Sequence, residues 1–249
     1  MAKPFTNSIP HVAIFINDHP YKYFVGSMDA FQAIVKRRTI RKYKQKDIPW
    51  DNVVTCLHAG RFAPVAGNVF NMRFIIVKAE AQRKAIAEAC MEQYWMQDAP
   101  IHIVVVSETL KMERYYGQKG ARVYTLHNCA AAAENILLAA TALGLGSAWV
   151  GAFDEEKIKD ICNLPGMVDV QMIITLGYAD EHPPVPLKRS IEDICNFGGW
   201  HGRVEYPKTG INMWSPYVAR IVDETKKAVK KGAKKAHQKA REMVKGKGS

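Results

Sequence analysis

Apolar residues recur at helical spacing in some segments of the chain and form uninterrupted runs in others. Apolar positions three or four residues apart predict a helix over residues 28–38 and a second one after Pro49. Apolar, β-branched runs predict buried strands at 73–79 and 101–107, with a helix at 80–97 between them. Residues 109–121 are polar and aromatic, and we expect a loop or a mobile helix there.

The strongest helical pattern covers residues 123–143, which are apolar on almost every face. Such a helix is either the central core helix of the domain or part of a subunit interface. Gly144 and Gly146 follow its end, as glycines past a helix terminus commonly do. A short helix from Asp154 and a strand at 170–178 complete the pattern, which predicts one α+β or α/β domain.

Composition indicates a globular protein, because 48% of the 249 residues are hydrophobic and 24% are charged. We find no apolar run long enough for a membrane span and no secretory signal, so we expect a cytoplasmic protein. The five cysteines are scattered without a CxxC pair, which argues against a disulfide framework, a zinc site or an iron–sulfur cluster. We interpret them as small core residues.

The net charge of +11 is concentrated near the C-terminus. Residues 220–249 hold eleven Lys and Arg against three acidic residues, a net +8, which leaves +3 for residues 1–219. The pattern predicts a basic helical tail that is either simply solvated or binds nucleic acid or an anionic surface non-specifically. No aromatic residues alternate with the lysines, so base stacking is not predicted.

Four short motifs could carry chemistry. In an extended chain, alternation places Arg37, Thr39 and Arg41 on one side, where two guanidinium groups and a hydroxyl would suit a phosphate, although cations also gather at helix C-termini. The small residues of 63–68 let backbone amides approach a flat ligand, and ordinary loops share this composition. The other two motifs are the glycine-rich segment 143–153 and the proline-stiffened segment 183–189.

The order and spacing of these motifs resemble the nitroreductase family of FMN enzymes from about Met28 to Tyr206. The resemblance rests on RRTIR, on APVAGN ahead of RFIIV, and on DAPIHIVVV. It continues through AAAAENILLAATALGLGSAWVGAF, LPGMVDVQMIITLGYAD and KRSIEDI. It implies an α+β fold with a central mixed β-sheet flanked by helices. It also implies an intertwined homodimer with the flavin at the subunit interface.

The resemblance also implies roles for individual residues. Arg37, Arg38, Thr39 and Arg41 would hold the FMN phosphate and ribityl chain, and Lys188 and Arg189 would close on the phosphate. The flavin or ribityl would be lined, from the other subunit, by Pro64, Val65, Ala66 and Asn68. Val150 would pack on the flavin, and the backbone N–H of Gly151 or Ala152 would point at its N5 atom. No side chain is predicted to be catalytic, because the flavin carries the chemistry.

We therefore predict an FMN-dependent oxidoreductase that passes hydride from NADH or NADPH through flavin N5 to a nitroaromatic, a quinone or a similar flat acceptor. Donor and acceptor would use the site in turn, in a ping-pong mechanism. Val65 replaces the serine usual in the family's loop, and Tyr94, Trp95, Tyr115 and Tyr116 are candidates for an aromatic lid or for core filling. Two alternatives stay open: a protein that acts through its Lys-rich tail, and a specialised flavin enzyme that dehalogenates or fragments its substrate. The predicted domains are an extension (1–27), the flavin domain (28–206) and the tail (207–249).

Overall fold

A computed structural model describes residues 28–202 of the chain. These residues fall into two compact units that separate between Val185 and Pro186, and each unit is described by itself. The predicted extension (1–27) and the basic tail (207–249) lie outside the described residues. The predicted domain boundaries therefore stay predictions.

The described part of the first unit alternates helices with four strands, and the described part of the second, up to residue 202, contains one short helix. The helices are α1 (Ala30–Lys36), α2 (Trp50–Arg61), α3 (Glu80–Ala89), α4 (Thr109–Lys119), α5 (Thr125–Ala142), α6 (Glu155–Ile161) and α7 (Ile191–Ile194). The strands are β1 (Met72–Val77), β2 (Ile101–Ser107), β3 (Gly146–Val150) and β4 (Asp169–Gly177). Two 3₁₀ turns (Ala66–Asn68 and Tyr94–Asp98) and a π-helical turn (Gly120–Tyr124) lie between them.

The four strands form one sheet in the order β1-β2-β4-β3, and every neighbouring pair is antiparallel. Ile103 of β2 lies opposite Ile76 of β1 and Ile174 of β4. A parallel bridge joins Thr39 to Ser147 on the outer edge of β3. The predicted α+β class is confirmed, with parallel pairing in the described residues limited to this bridge.

Side chains that alternate along β2 build a core on each face of the sheet, because successive residues of a strand point to opposite sides. Ile103 and Val105 pack with residues of α2 and α5 on one face, including Cys56 and Ile136. Val104 and Val106 pack on the other face, with residues of α3 and α6 such as Ile86 and Ile158. All seven residues of β2 are buried, as its mostly apolar, β-branched sequence predicts, and the buried set includes the polar residues His102 and Ser107.

The predicted helix over 80–97 is wrong in its second half, because α3 ends at Ala89. Met91 and Glu92 adopt positive φ angles of 55° and 56°, which an α-helix does not accommodate. The chain then makes a 3₁₀ turn before β2. Residues 109–119 form the helix α4, although Gly117 lies outside the helical region with φ 58° and ψ −154°.

The long helix α5 is less enclosed in the single chain than its apolar sequence suggests. Cys129, Ala133 and Ile136 are buried in the core, whereas Leu126 is 48% exposed and His127 is exposed. Gly144 follows the helix with a φ of 73°, which confirms the predicted glycine at its C-terminal end. Among the described helices, none combines the length and apolarity needed to cross a membrane.

Candidate functional site

The segment that contains Arg37 to Arg41 is fixed to the edge of the sheet. α1 ends at Lys36, and the extended chain then pairs with β3, where the Ile40 N–H donates to the Ser147 carbonyl at 3.0 Å. Ile40 and Tyr43 are buried on the inner side, and the Tyr43 hydroxyl donates to the Ile40 carbonyl at 2.7 Å. These contacts place Arg37, Arg38 and Arg41 beside β3 on a backbone that is held in place.

Arg37 and Arg38 each carry a buried guanidinium nitrogen that lacks a hydrogen bond within residues 28–202. Arg37 Nε lies 3.2 Å from Glu134 Oε1, which is an ion-pair distance, but it is not aligned for a hydrogen bond. Arg38 Nη1 donates to the carbonyls of Val35 and Arg37, at 2.7 and 2.6 Å, while its Nε stays unpaired. Buried donors without acceptors are costly, and an anion would satisfy them.

Arg41 is exposed and extends in a different direction from Arg37. Its guanidinium carbon lies 5.8 Å from the centre of the Trp95 ring. Glu181 Oε1 accepts from the backbone N–H groups of Arg41 and Lys42, at 2.5 and 3.1 Å. Sequence reasoning did not single out Glu181, and its distance of 140 residues from Arg41 leaves no local signal for this contact.

The loop of residues 64–68 makes a 3₁₀ turn after α2, with Pro64, Gly67 and Asn68 exposed and Val65 and Ala66 half-buried. Gly67 and Asn68 both have positive φ angles, 55° and 58°. A Cβ on Gly67 would meet the Tyr116 hydroxyl at 1.7 Å, so any other residue there would require Tyr116 to move and would also have to adopt the positive φ. The predicted cofactor loop therefore has a defined shape, with Tyr116 packed directly on it.

Past β3 the chain offers backbone amides rather than side chains. Gly151 and Ala152 are exposed, as a role for their N–H groups requires. Val150 is only 4% exposed and packs in the core, so its predicted contact with the flavin stays a prediction. Its neighbour Trp149 points to the opposite face and is 39% exposed. Sequence reasoning did not single out Trp149, although a large aromatic residue between small ones was a signal for it.

The predicted lid residues fall into two groups. Trp95 contacts Arg41, whereas Tyr116 lies against Gly67 and packs edge-on against Tyr124, with ring centres 5.4 Å apart. Tyr115 lies next to Tyr116 and is 67% exposed.

Lys188 and Arg189 belong to the second unit, and both are exposed. Their predicted contact with a phosphate stays a prediction.

Helix α5 separates two of the predicted binding groups. Arg37 pairs with Glu134, and the loop N–H of Ala66 donates to Asn128, six residues earlier on the same helix. Six residues correspond to a rise of about 9 Å and a rotation that leaves the two side chains roughly 120° apart. The RRTIR segment and the loop thus flank different sides of α5, and these contacts do not bring them to one pocket within a single chain.

A groove of about 930 Å³ opens elsewhere, between the β1 edge, α4 and the loop before β4. It contains none of the predicted cofactor residues. Arg73, Lys111 and Arg114 lie along it, but Arg73 pairs with Glu108 at 2.5 Å and Lys111 Nζ donates to the Phe70 carbonyl. We therefore place the candidate phosphate site beside β3, where the buried arginine donors lack hydrogen bonds, and not in this groove.

The buried titratable side chains do not form a catalytic cluster. Burial raises the pKa of the Cys56, Cys90 and Cys129 thiols to about 12, so they stay protonated and unreactive. These three are core residues as predicted, whereas Cys162 and Cys195 are only half-buried. Within residues 28–202, no three His, Cys, Asp or Glu side chains converge as metal ligands.

The sequence profile of the nitroreductase family matches residues 34–95 and 91–178, more than half of the chain. The chain belongs to the nitroreductase family. The match includes RRTIR, the 64–68 loop and the β3 exit, which are the segments that form the candidate site. The predictions of the family, of an oxidoreductase, and of FMN with NAD(P)H as its redox partners are confirmed at the level of the family.

Individual relatives agree with this assignment. A protein of Methanothermobacter thermautotrophicus, named for expected NADH dehydrogenase and NAD(P)H nitroreductase activity, is 32% identical over 163 residues. The match covers 64% of this chain and 82% of that relative. A nitroreductase family protein of Clostridium novyi NT has 25% sequence identity and a TM-score of 0.57, with 73% of this chain and 99% of that chain covered.

More distant matches show how far the fold extends. The NADPH:FMN oxidoreductase of Vibrio harveyi, solved with NAD⁺, has a TM-score of 0.63 at 18% identity and covers 82% of this chain and 91% of its own. The curated relatives also include the iodotyrosine deiodinase of Thermotoga neapolitana, 22% identical over 60% of this chain and 88% of its own. The 5,6-dimethylbenzimidazole synthase of Rhodospirillum rubrum is 23% identical, over 69% and 88%.

Proposed function

We propose that this nitroreductase family member binds FMN in a homodimer and reduces a flat organic acceptor with NADH or NADPH. The observation that carries the proposal is the pair of buried guanidinium nitrogens beside β3, Nε of Arg37 and of Arg38, that lack a hydrogen bond within the described residues. Arginine forks make charge-assisted bonds to phosphate oxygens, so this donor set fits the phosphate of FMN. Bound FMN would accept hydride at N5 from the nicotinamide and pass it to the second substrate.

The remaining residues position the cofactor and the substrates. Arg41, held over Trp95 and exposed at the edge of the sheet, supplies a positive charge that favours an anionic flavin. The exposed backbone amides of Gly151 and Ala152 supply hydrogen-bond donors that need no side chain. The sequence predicts a phosphate-binding role for Lys188 and Arg189 as well, and that role stays a prediction. We propose that donor and acceptor use the site in turn, in a ping-pong reaction.

A second copy of the chain is part of the proposal. Within one chain, the RRTIR segment and the 64–68 loop flank different sides of α5, so each needs a partner surface to enclose a flavin. In the dimer, Pro64, Val65, Ala66 and Asn68 of one subunit would line the flavin held by Arg37, Arg38, Thr39 and Arg41 of the other. Two equivalent sites would result, as the symmetry of a homodimer requires.

The test starts from the absorbance spectrum of the full-length protein with FMN, followed by anaerobic addition of NADH or NADPH. We expect retained flavin bands that bleach on addition of the nucleotide. Arg37→Ala should lower FMN affinity by about 10-fold or more, since a hydrogen bond to a charged group contributes about 1.5–3 kcal/mol. Arg73→Ala removes an arginine that is also ion-paired, on β1, and should leave FMN affinity unchanged.

A protein that neither retains FMN nor bleaches it would contradict the proposal, as would equal affinities of the two arginine variants. The identity of the acceptor needs a separate test, because the relatives include a deiodinase and a benzimidazole synthase. Anaerobic reoxidation of the bleached protein by quinones, nitroaromatics and halogenated phenols would separate a general reductase from a specialised enzyme. Release of halide would indicate dehalogenation.

A role in binding anionic polymers rests on the net charge of +8 in residues 220–249. These residues lie outside the described part of the chain, so their binding role stays a prediction. The cytoplasmic location of the protein also stays a prediction. Deletion of residues 220–249 should abolish any binding to RNA or heparin and leave flavin reduction intact. Loss of both functions would mean that the tail belongs to the enzyme rather than to a separate binding function.

A further inference from the structure

The 64–68 loop has a defined backbone shape that depends in part on a residue outside it. Gly67 and Asn68 are consecutive residues in the left-handed region, which glycine and asparagine adopt more readily than other residues. The turn contains two local hydrogen bonds, from Asn68 N–H to the Val65 carbonyl and from Val69 N–H to the Ala66 carbonyl, both 3.1 Å. The Ala66 N–H lies outside this local pattern and depends on a distant residue.

That residue is Asn128 on α5, which is 2% exposed. Its Oδ1 accepts from Ala66 N–H at 3.0 Å, and its Nδ2 donates to Asn71 Oδ1 at 2.9 Å. Asn71 Nδ2 donates in turn to Thr125 Oγ1 at 3.0 Å, and this hydroxyl donates to the Gly120 carbonyl at 3.1 Å. The Ala66 N–H can only donate, so it requires the oxygen of the Asn128 side chain, and the Asn128 NH₂ group then faces Asn71 Oδ1. These two bonds fix the orientation of the Asn128 amide.

This hydrogen-bond network connects the 64–68 loop to two other places in the chain, the residue before β1 and the turn after α4. Asn71 precedes β1, and Gly120 begins the π-helical turn that follows α4. Tyr116, on α4, contacts the opposite side of the loop at Gly67. The loop is thus held between α5 and α4, with its exposed residues Pro64 and Asn68 facing solvent.

The same helix provides an internal comparison in Asn135. It lies seven residues after Asn128, almost two full turns, and therefore on the same face of α5. Asn135 Nδ2 donates to the Ala59 carbonyl at 3.1 Å, in the last turns of α2. Both asparagines bridge α5 to the same stretch of chain, but only Asn128 bonds to the loop that is proposed to line the flavin.

We infer that Asn128 is a positioning residue for FMN, acting through the Ala66 N–H to hold the 64–68 loop in its flavin-binding shape. This inference rests on the proposed function. Asn128 does not touch the cofactor in this scheme. Its substitution leaves the Ala66 N–H without this acceptor and frees the loop to move, which should weaken flavin binding without removing any group that is proposed to contact flavin.

The experiment compares Asn128→Ala with Asn135→Ala in the full-length protein. Thermal unfolding of the apo-proteins measures the structural cost, quenching of flavin fluorescence measures FMN affinity, and hydrogen exchange reports on the amides of 65–69. We expect both variants to lower Tm by similar amounts. Only Asn128→Ala should weaken FMN binding, by at least 10-fold, and accelerate exchange at 65–69. At saturating FMN, its kcat should recover to near the wild-type value.

Asn128→Asp provides a conservative variant. It keeps the acceptor for Ala66 N–H, and the Asn71 amide can turn to donate to the new carboxylate. We expect Asn128→Asp to recover most of the FMN affinity that Asn128→Ala loses. Wild-type affinity and exchange in Asn128→Ala would overturn the inference while leaving the proposed function intact, as would equal loss of affinity in Asn135→Ala. Wild-type protein that binds no FMN would overturn both.

Discussion

His102 is fully buried in the central strand β2, where its ring is a pH-sensitive element of the fold. Its Nε2 donates to the Met96 carbonyl at 2.8 Å, and its Nδ1 has no hydrogen bond within the described residues. Burial lowers the pKa of His102 to about 4, with the nearby Arg83 acting in the same direction. An unfolded histidine has a pKa near 6.5. The unfolded chain therefore binds a proton between these values, while the folded chain does not.

Stability should accordingly fall as the pH drops from about 6.5 towards 4, by roughly 3 kcal/mol if His102 acts alone. The stabilisation is fully present above pH 6.5. His102→Gln, which keeps a donor for the Met96 carbonyl, should flatten this part of the Tm-versus-pH curve. His127→Gln replaces an exposed histidine on α5 and should leave the slope as in wild type. Equal slopes in all three proteins would contradict the assignment to His102.

Some site residues could be predicted from the sequence and others could not. Arg37 and Arg41 belong to a compact local motif whose chemistry is visible in five consecutive letters. Asn128 and Glu181 act through contacts with backbone 62 and 140 residues away. Only the tertiary fold brings these groups together. Trp149 is an intermediate case, since strand alternation could have predicted its exposure had β3 been recognised as a strand.

At the scale of elements, Gly177 fixes how the chain after α1 docks on the sheet. A Cβ on Gly177 would lie 2.5 Å from Tyr43 Cδ1 and 2.9 Å from Pro100 Cδ. The Tyr43 ring cannot turn away freely, because its hydroxyl is bonded to the Ile40 carbonyl and to Thr175 Oγ1, both at 2.7 Å. Gly177→Ala should therefore destabilise the protein by about 1–3 kcal/mol, roughly 2–4 °C in Tm for each kcal/mol.

The same variant should weaken FMN binding, because Ile40 and Tyr43 hold the RRTIR segment against β3. Gly166→Ala is the matched control, since a Cβ there meets no atom within 4 Å. Thermal unfolding and flavin-fluorescence titration of the two variants provide the comparison. Unchanged stability in Gly177→Ala would mean that the segment can shift without cost, and the rigid docking inferred for the arginines would be wrong.

Elements with one strong signal were predictable, and those set by tertiary packing were not. β2 and β4 are long β-branched runs, and their predicted limits agree with the structure to within one residue. β3 (Gly146–Val150) consists largely of small residues and has no strand pattern of its own. A Cβ on Gly146 would lie 2.9 Å from Ile40 Cγ1, so a glycine at this position leaves room for the Ile40 side chain. The end of α3 depends on left-handed residues at 91 and 92 that are not glycines, so the sequence did not mark it.

At the scale of the molecule, the single chain leaves apolar surface beside its longest helix. α1 packs on α5, yet its Ile34 is 53% exposed. Isolated apolar residues on a surface are normal, but here Ile34 lies three residues before Arg37, where the predicted phosphate-binding segment begins. A second subunit that covers this region would bury Ile34 and enclose the cofactor in the same step. Dimerisation and flavin binding should then be thermodynamically linked.

Ile34→Glu tests this linkage, because a carboxylate at a buried interface is costly unless it is paired. In sedimentation equilibrium we expect the wild-type protein to have twice the chain mass of 28.0 kDa. The mass measured for Ile34→Glu should shift towards that of the monomer. Its FMN affinity should fall in parallel, and excess FMN should restore dimer, since ligand bound only by the dimer stabilises it. Met167→Glu introduces the same charge at a 65% exposed loop position and should change neither property. A monomeric Ile34→Glu that binds FMN as tightly as wild type would show that one chain suffices for the site, and the interfacial arrangement would have to be abandoned.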